Sequence, residues 1–469
     1  MNDDLKKIHD ASMRILEKSG MIFHHPGILK LLEQKGIKVS GETAFFTREQ
    51  VMEWVSKAPR RFRLFARNPK YDFVLGDNHI EFAPGYGAPN ILERDGSKRS
   101  AVLSDHVQFL KLVHQSDKFK VNGGILVEPS DLDPQYNYPV MLYYNLTHSD
   151  KFIFGMEGKA DQVNMTMDMI GAVFGDRNEL IKQPRIMTIV NTLSPLRMDQ
   201  TALDTMLIYA SNGQPVIITP AAMAGFTGPI TLAGLIALSN AETLAGIAVT
   251  QMIRKGTPVV YGCQSTAADM RSGAYVVGNP EHVLCLSYAA KLAKAYGLPC
   301  RGGGAPSDAK QLSVQSGYES MMILLTSCRE NINYIIHSAG IIDSFSAMSF
   351  DKFIVDLEII DMVERIGKGV RIDDETLAVD IIREIGPGGQ YMTSEHTVKL
   401  CRQEPWNPEI GLKGMKVSKD PNSDILDNIL KKKEKMLSAY QQPHLPQSIA
   451  SALTDYLQSK GVDKSLLFL

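Results

Sequence analysis

Eight short runs of β-type apolar residues recur between His79 and residue 369, each followed by a Gly, Pro or Ser loop and then a helical stretch. The runs are Ile80–Phe82, Lys120–Gly123, Phe152–Gly155, Ile186–Val190, Pro215–Thr219, Pro258–Gly262, Leu298–Gly302 and Tyr334–His337, spaced by roughly 30–45 residues. Parallel neighbouring strands need a long crossover, and a helix supplies it. Eight such units predict an α/β fold of the TIM (β/α)8 barrel class. An open, doubly wound sheet is the alternative, because periodicity does not show closure. No Rossmann glycine fingerprint follows the first run, which counts against it.

The flanks read differently. Leu5, Ile8, Ile15 and Leu16 recur at helical spacing behind an acidic Asp3-Asp4 start, and Thr47 with Glu49 and Gln50 opens another helix. Phe62–Ala66 and Tyr71–Leu75 look like strands leading into the main body. Beyond Val370 come the turn Gly386-Pro387-Gly388-Gly389, then Trp406-Asn407-Pro408, then helices near Ser423–Tyr440 and Pro446–Lys460. The expected organisation is a helical N-terminal extension over 1–78 packed on the barrel, the barrel over 79–369, and a helical C-terminal extension over 370–469.

Charge and cysteine usage narrow the function classes. Fifty Lys and Arg against 52 Asp and Glu leave a net charge of -2, so no global field attracts nucleic acid or an anionic membrane. Cys263, Cys285, Cys300, Cys328 and Cys401 form no C-x-x-C pair, and the N-terminus lacks the charged and apolar regions of a signal peptide. A cytoplasmic, reducing setting is expected. The apolar stretch Pro229–Met252 contains Asn240 and Glu242 and reads as a buried core helix, not a membrane span.

In a barrel the chemistry sits at the C-terminal strand ends. Glycine stands at seven of the eight predicted ends, which accounts for part of the 37 glycines and suggests a mouth that something large can approach. Gly302-Gly303-Gly304 either offers N–H groups to an anion or makes a tight turn, and the sequence does not separate the two. No Walker A loop, H-E-x-x-H or G-x-S-x-G occurs, and no metal site is expected. His337, Glu157 and Glu128 stand at strand ends, where each faces a ligand or serves the core or a helix end.

The tract Gly302-Gly303-Gly304-Ala305-Pro306-Ser307-Asp308 through Lys310, with Gln315, Gly317 and Glu319, resembles the trimethylamine methyltransferase family. So do His337-Ser338-Ala339-Gly340, Ser349, Asp356-Leu357-Glu358, Gly386–Gly389, Glu395-His396-Thr397, Arg402 and Trp406-Asn407-Pro408. The resemblance implies a TIM barrel that moves a methyl group from a methylated amine to the Co(I) of a separate corrinoid (cobalamin) protein. The family's founding branch carries pyrrolysine, and this chain has only the twenty standard residues. It therefore resembles the branch that demethylates quaternary amines such as glycine betaine, proline betaine and carnitine. No corrinoid is expected on this chain itself: Asp77-Asn78-His79 matches half of the D-x-H-x-x-G signature, with Phe82 where Gly belongs.

A quaternary ammonium already holds its leaving group as a latent neutral amine, so positioning and electrostatics suffice. Aromatic faces hold such a cation, at about 0.5–2 kcal/mol each. Candidates are Phe82, Tyr86, Phe154, Phe226, Phe345, Phe350 and Trp406. His337, Ser307 and the Gly302, Gly303 and Gly304 amides are candidate donors to a betaine carboxylate, and His337 and Glu157 are the candidate positioning groups. Glycine betaine ranks first among substrates. Two readings compete: an aldolase- or lyase-type barrel, for which no lysine stands at a strand end, and a non-catalytic quaternary-amine binder. The C-terminal helices offer a surface to a second copy.

Overall fold

The computed structural model describes residues 1–414 and 424–468. At its centre is a ring of parallel strands: β1 (Glu81–Phe82), β2 (119–121), β3 (Ile153–Phe154), β4 (Ile186–Asn191), β5 (Val216–Thr219), β6 (Val259–Gly262), β7 (Cys300–Gly303) and β8 (Tyr334–Ile336). β8 pairs back on β1, Tyr334 with Glu81 and Ile335 with Phe82, so the ring is closed and the open sheet is excluded. β2 joins only through single bridges, Phe82 to Phe119 and Val121 to Phe152. Gly123 and Gly124 follow it at φ +89° and +64°, a conformation that ends pairing at once.

A helix follows each strand: α1 (Leu103–Gln115), α2 (Asn137–His148), α3 (Ala160–Phe174), α4 (Gln200–Ser211), α5 (Leu232–Ile253), α6 (Pro280–Tyr296), α7 (Val314–Arg329) and α8 (Phe350–Gly367). α5 is long and apolar enough to cross a membrane by composition, but the helices Asp3–Lys18 and Arg48–Val55 cover its outer face. Its two polar interruptions are structural. Asn240 accepts from Tyr261 Oη (2.9 Å) and donates to Ser12 Oγ (2.8 Å), and Glu242 accepts from Ser194 Oγ and the Leu196 amide (2.8 Å each).

The N-terminal segment is joined to the barrel by hydrogen bonds as well as by packing. Helix Asp3–Lys18 is capped by Asn2, whose side chain accepts from the Leu5 amide, while Asp3 and Asp4 occupy its first turn. The Thr47–Gln50 capping box starts the next helix but one. Strand Met21–Phe23 pairs with Arg197–Met198 in the loop after β4. An antiparallel ribbon, Phe62–Leu64 with Phe73–Leu75, plugs the N-terminal end of the barrel, where Phe73 meets Phe152 edge-on at 5.3 Å.

At the other end, Asn90–Leu92, Lys98–Ser100, Ile341–Ile342 and Ala347–Met348 form a four-stranded collar above the strand ends. Strands this short leave no alternation to read, so the sequence does not announce the collar. Helix Ile425–Ser438 packs on α1 and α8, and Gln447–Ser459 on α2 and α3. Ser423, where the sequence suggests the first of these begins, lies outside the described residues. Between α8 and these helices, three short helices (Asp374–Leu377, Val379–Ile385 and Glu395–Leu400) bury none of their residues.

Candidate active site

Strand parity decides what enters the barrel. On β7, Cys300 and Gly302 face the helices: a Cβ at Gly302 would strike Ile332 at 2.7 Å. Arg301 therefore points inward, and it is 3% exposed. Its Nη1 donates to the Cys263 carbonyl (3.1 Å) and to Gln264 Oε1 (2.7 Å), while Nε has no partner. The ionisable neighbours it senses are Tyr275, Cys263 and Tyr334, none of them a carboxylate. Burial pulls the guanidinium down to about 10, which leaves it charged at neutral pH. Gln264 is held in turn by His282, whose ring reaches the Ser265 carbonyl at 3.3 Å.

His337 ends β8 at φ +60° and is 6% exposed. Its amide donates to the Pro84 carbonyl (3.1 Å), its carbonyl accepts from Ala305 N (2.7 Å), and its Nδ1 has no partner. Burial, reinforced by the Arg301 charge, holds the imidazole well below its ordinary pKa, so it is neutral. Phe345 stands edge-on to it at 4.7 Å. Asp343, Ser344 and Phe345 are all left-handed as well, at φ +53°, +53° and +71°. Non-glycine residues in this conformation cost about 1–3 kcal/mol each and persist only where surroundings impose them. Here the imposition comes from Ser344, which donates through N to the Ser307 carbonyl (3.0 Å) and through Oγ to Asp308 (2.6 Å).

The rest of the mouth is aromatic and acidic. Tyr86 meets Phe154 edge-on at 5.3 Å and His337 at 6.5 Å. Glu157 accepts from the Asn191 amide (3.1 Å) and side chain (3.2 Å), and burial pushes its carboxyl up to about 7. Tyr334 Oη and Thr219 Oγ1 are buried without partners, as are Arg301 Nε and His337 Nδ1. All four belong to β5, β7 and β8 or the residue that ends β8. Buried polar atoms are almost always satisfied, so this grouping marks a place built to hold a polar ligand.

The structure brings Tyr86, Phe154, His337 and Phe345 together, with Glu157 in the loop that follows Phe154's own strand, β3. Other residues proposed from sequence lie elsewhere. Phe82 has the wrong parity: Ala83 faces the interior, while Phe82 packs outward with the helix layer. Phe350 starts α8 and stacks on Phe109 at 4.0 Å. Phe226 is half-exposed on the rim, and Glu128 is exposed. Trp406 lies in the C-terminal segment, where its carbonyl accepts from Lys413. Ser307 is fully buried and donates to Glu319 (2.6 Å), fastening its loop instead of facing the mouth.

The glycine run is not an anion nest. Gly302 and Gly303 belong to β7 and pair with Ile335 and Ile336, and a Cβ at Gly304 would strike Ser338 at 2.5 Å. Gly155 and Gly262 are crowded likewise, by Tyr209 and Thr219. These glycines let protein segments approach one another, so they do not widen the mouth. Among the described residues, no three His, Cys, Asp or Glu side chains are grouped to hold a metal ion.

The family model described as trimethylamine methyltransferase matches residues 1–464. The chain belongs to the trimethylamine methyltransferase family. It is 40% identical over 408 residues to a glycine betaine methyltransferase of Desulfitobacterium hafniense, covering 87% of this chain and 85% of that one. It is also 29% identical to a proline betaine:corrinoid methyltransferase of Eubacterium limosum, covering 97% and 96%. The monomethylamine methyltransferase of Methanosarcina barkeri superposes with a TM-score of 0.51 at 11% identity, over 92% of this chain and 93% of that one, and shows the shared barrel. The chain is thus a methyltransferase of this family, with the quaternary-amine relatives among its most similar.

Proposed function

We propose that the chain takes a methyl group from a quaternary amine, glycine betaine first, and delivers it to the Co(I) of a corrinoid carried by a separate protein. The observation that carries this reading is the mouth itself: Tyr86, Phe154 and Phe345 bring aromatic rings to the same end of the barrel as a buried cation with no acid partner. The barrel offers no residue that would activate the amine covalently, and a quaternary ammonium needs none. The C–N bond breaks with its electron pair remaining on nitrogen, while the acceptor supplies the pair for the new bond, so no proton moves. The protein's task is then to hold the ammonium along the line of attack and to keep water away.

The acceptor comes from outside on this reading. Asp77, Asn78 and His79 precede β1 at the plugged end, away from the strand ends, so the half-matched corrinoid signature does not serve the mouth. Around the mouth, Leu193, Phe226, Ile230 and Met270 are exposed on the loops after β4 to β6 and Val314 and Tyr318 on the first turns of α7, an apolar rim suited to a docking protein. A second copy is placed on the C-terminal arm, where Val370, Ile372, Val379, Met392 and Val398 are exposed. Operation in the cytoplasm accords with the reduced thiols and the strongly reducing acceptor.

The test is consumption of Co(I), followed by its absorbance, with glycine betaine, proline betaine and carnitine in turn and a competent corrinoid protein. Turnover with glycine betaine at the highest kcat/KM is expected. Binding without turnover on every substrate would instead favour the non-catalytic binder.

A further inference from the structure

Three buried cations distinguish this barrel, and two of them are compensated. Lys352 Nζ donates to Asp356 (2.6 Å), the Ala305 carbonyl (2.7 Å) and Ser320 Oγ (2.9 Å). Lys151 donates to the Val113 and Ser116 carbonyls (2.6 Å each) and senses Asp150, Glu81 and Asp117. Arg301 has only two neutral acceptors and no acid. A buried, charged guanidinium with a free N–H is costly, and a fold keeps one where an anion completes it.

We infer that Arg301 receives the carboxylate of the substrate and that the mouth is polarised to select a zwitterion over a simple ammonium cation. This rests on the quaternary-amine reading above and deepens it. The guanidinium lies on β7, between the loops of β6 and β8, and its field reaches His337, Tyr275 and Tyr334. Tyr86, in the loop after β1, senses Glu157 and Glu128 instead. Glu157 follows β3, four strands around the ring from β7, so the mouth carries a cation on one side and a carboxyl on the opposite side. A molecule with a carboxylate one or two carbons from a trimethylammonium group matches this polarity when its ammonium lies toward Phe154 and Glu157, with Tyr86 edge-on to Phe154. The chain Arg301–Gln264–His282–Ser265 fixes the guanidinium, so it is preorganised and need not reorder on binding. Choline carries the same ammonium with a hydroxyl in place of the carboxylate, and it leaves Arg301 as uncompensated as before.

Calorimetric titration of the full chain tests this with three ligands: glycine betaine, choline, and 3,3-dimethylbutanoate, the uncharged-headgroup isostere that keeps the carboxylate. The unaltered chain is expected to bind glycine betaine about 100-fold more tightly than choline. In Arg301→Gln that advantage disappears, with choline affinity unchanged within about threefold, and Arg301→Lys recovers part of it. Equal loss of both ligands in Arg301→Gln, or no loss of glycine betaine, would overturn the inference. If quaternary amines fail to bind the unaltered chain while dimethylbutanoate binds in an Arg301-dependent way, the carboxylate seat stands and the quaternary-amine reading falls.

Discussion

The two ends of the barrel bury opposite things. At the N-terminal end, Phe62, Leu64, Phe73 and Leu75 close the ring with carbon, packed against Phe152. Toward the C-terminal end lie a guanidinium with no acid partner, a neutral imidazole and the unpartnered Thr219 hydroxyl, beside backbone that is repeatedly left-handed. The first end holds the fold together. The second spends stability on an arrangement that only a ligand completes, the usual mark of a functional site.

Substitutions at the two ends should therefore separate stability from binding. Phe73→Ala removes a buried ring at the plug and is expected to cost about 3–5 kcal/mol of unfolding free energy in denaturant titration, with substrate affinity unchanged in the molecules that remain folded. Arg301→Gln is expected to do the reverse, leaving stability within about 1 kcal/mol of the unaltered chain or raising it, because it removes an uncompensated buried charge. Comparable destabilisation by both substitutions would break the contrast.

The sequence makes the plug and the ring legible, and much of the mouth illegible, for one physical reason. Apolar β-type runs declare a strand, and each of the eight overlaps a strand or bridge of the ring, in order. What a strand shows to the interior depends on parity, and an error of one residue exchanges inside for outside. Sequence spacing puts Phe82 at the mouth, but it packs outward, and Glu81 and Ala83 have the other parity. Arg301 lies within the apolar run Leu298–Gly302. A charge in the middle of an otherwise apolar strand, with no acid one or two residues away, was the signal that could have found it. Ser307 and the glycines match the family tract, yet their work is fastening and close approach. The collar, made of two- and three-residue strands, left nothing periodic to read.

Smaller effects sharpen the picture of the mouth. Tyr86→Ala should weaken glycine betaine binding by about 0.5–2 kcal/mol, the range for one aromatic contact with a cation, read by calorimetry. His337→Ala should cost about 0.5–1.5 kcal/mol, because a neutral imidazole makes an ordinary hydrogen bond and not a charge-assisted one. A loss well beyond that would mean that the ring is charged in the complex.

The smallest effect is a pH dependence from Glu157. Its carboxyl is raised to about 7 by burial, with Asp199 as the like charge it senses. In the folded chain it keeps its proton through a range where the unfolded chain has lost it. Its stabilising contribution is therefore full below the ordinary glutamate pKa of about 4.3 and is lost as the pH rises through about 7. Substrate affinity should move the other way, rising by roughly 0.5–1 kcal/mol as the carboxylate ionises beside the ammonium. Glu157→Gln should flatten both curves, and a binding curve that stays steep in that variant would remove Glu157 from the account.

The central claim, that the polar end of the barrel demethylates a zwitterionic quaternary amine, is tested most directly by labelling. Glycine betaine carrying 13C in its N-methyl groups is incubated with the full chain and a Co(I) corrinoid protein, and carbon NMR follows the label. The account predicts dimethylglycine and one labelled methyl group on the corrinoid protein in equal amounts, with choline left intact. Unchanged glycine betaine, in the presence of a corrinoid protein shown to accept methyl groups from another donor, would contradict it.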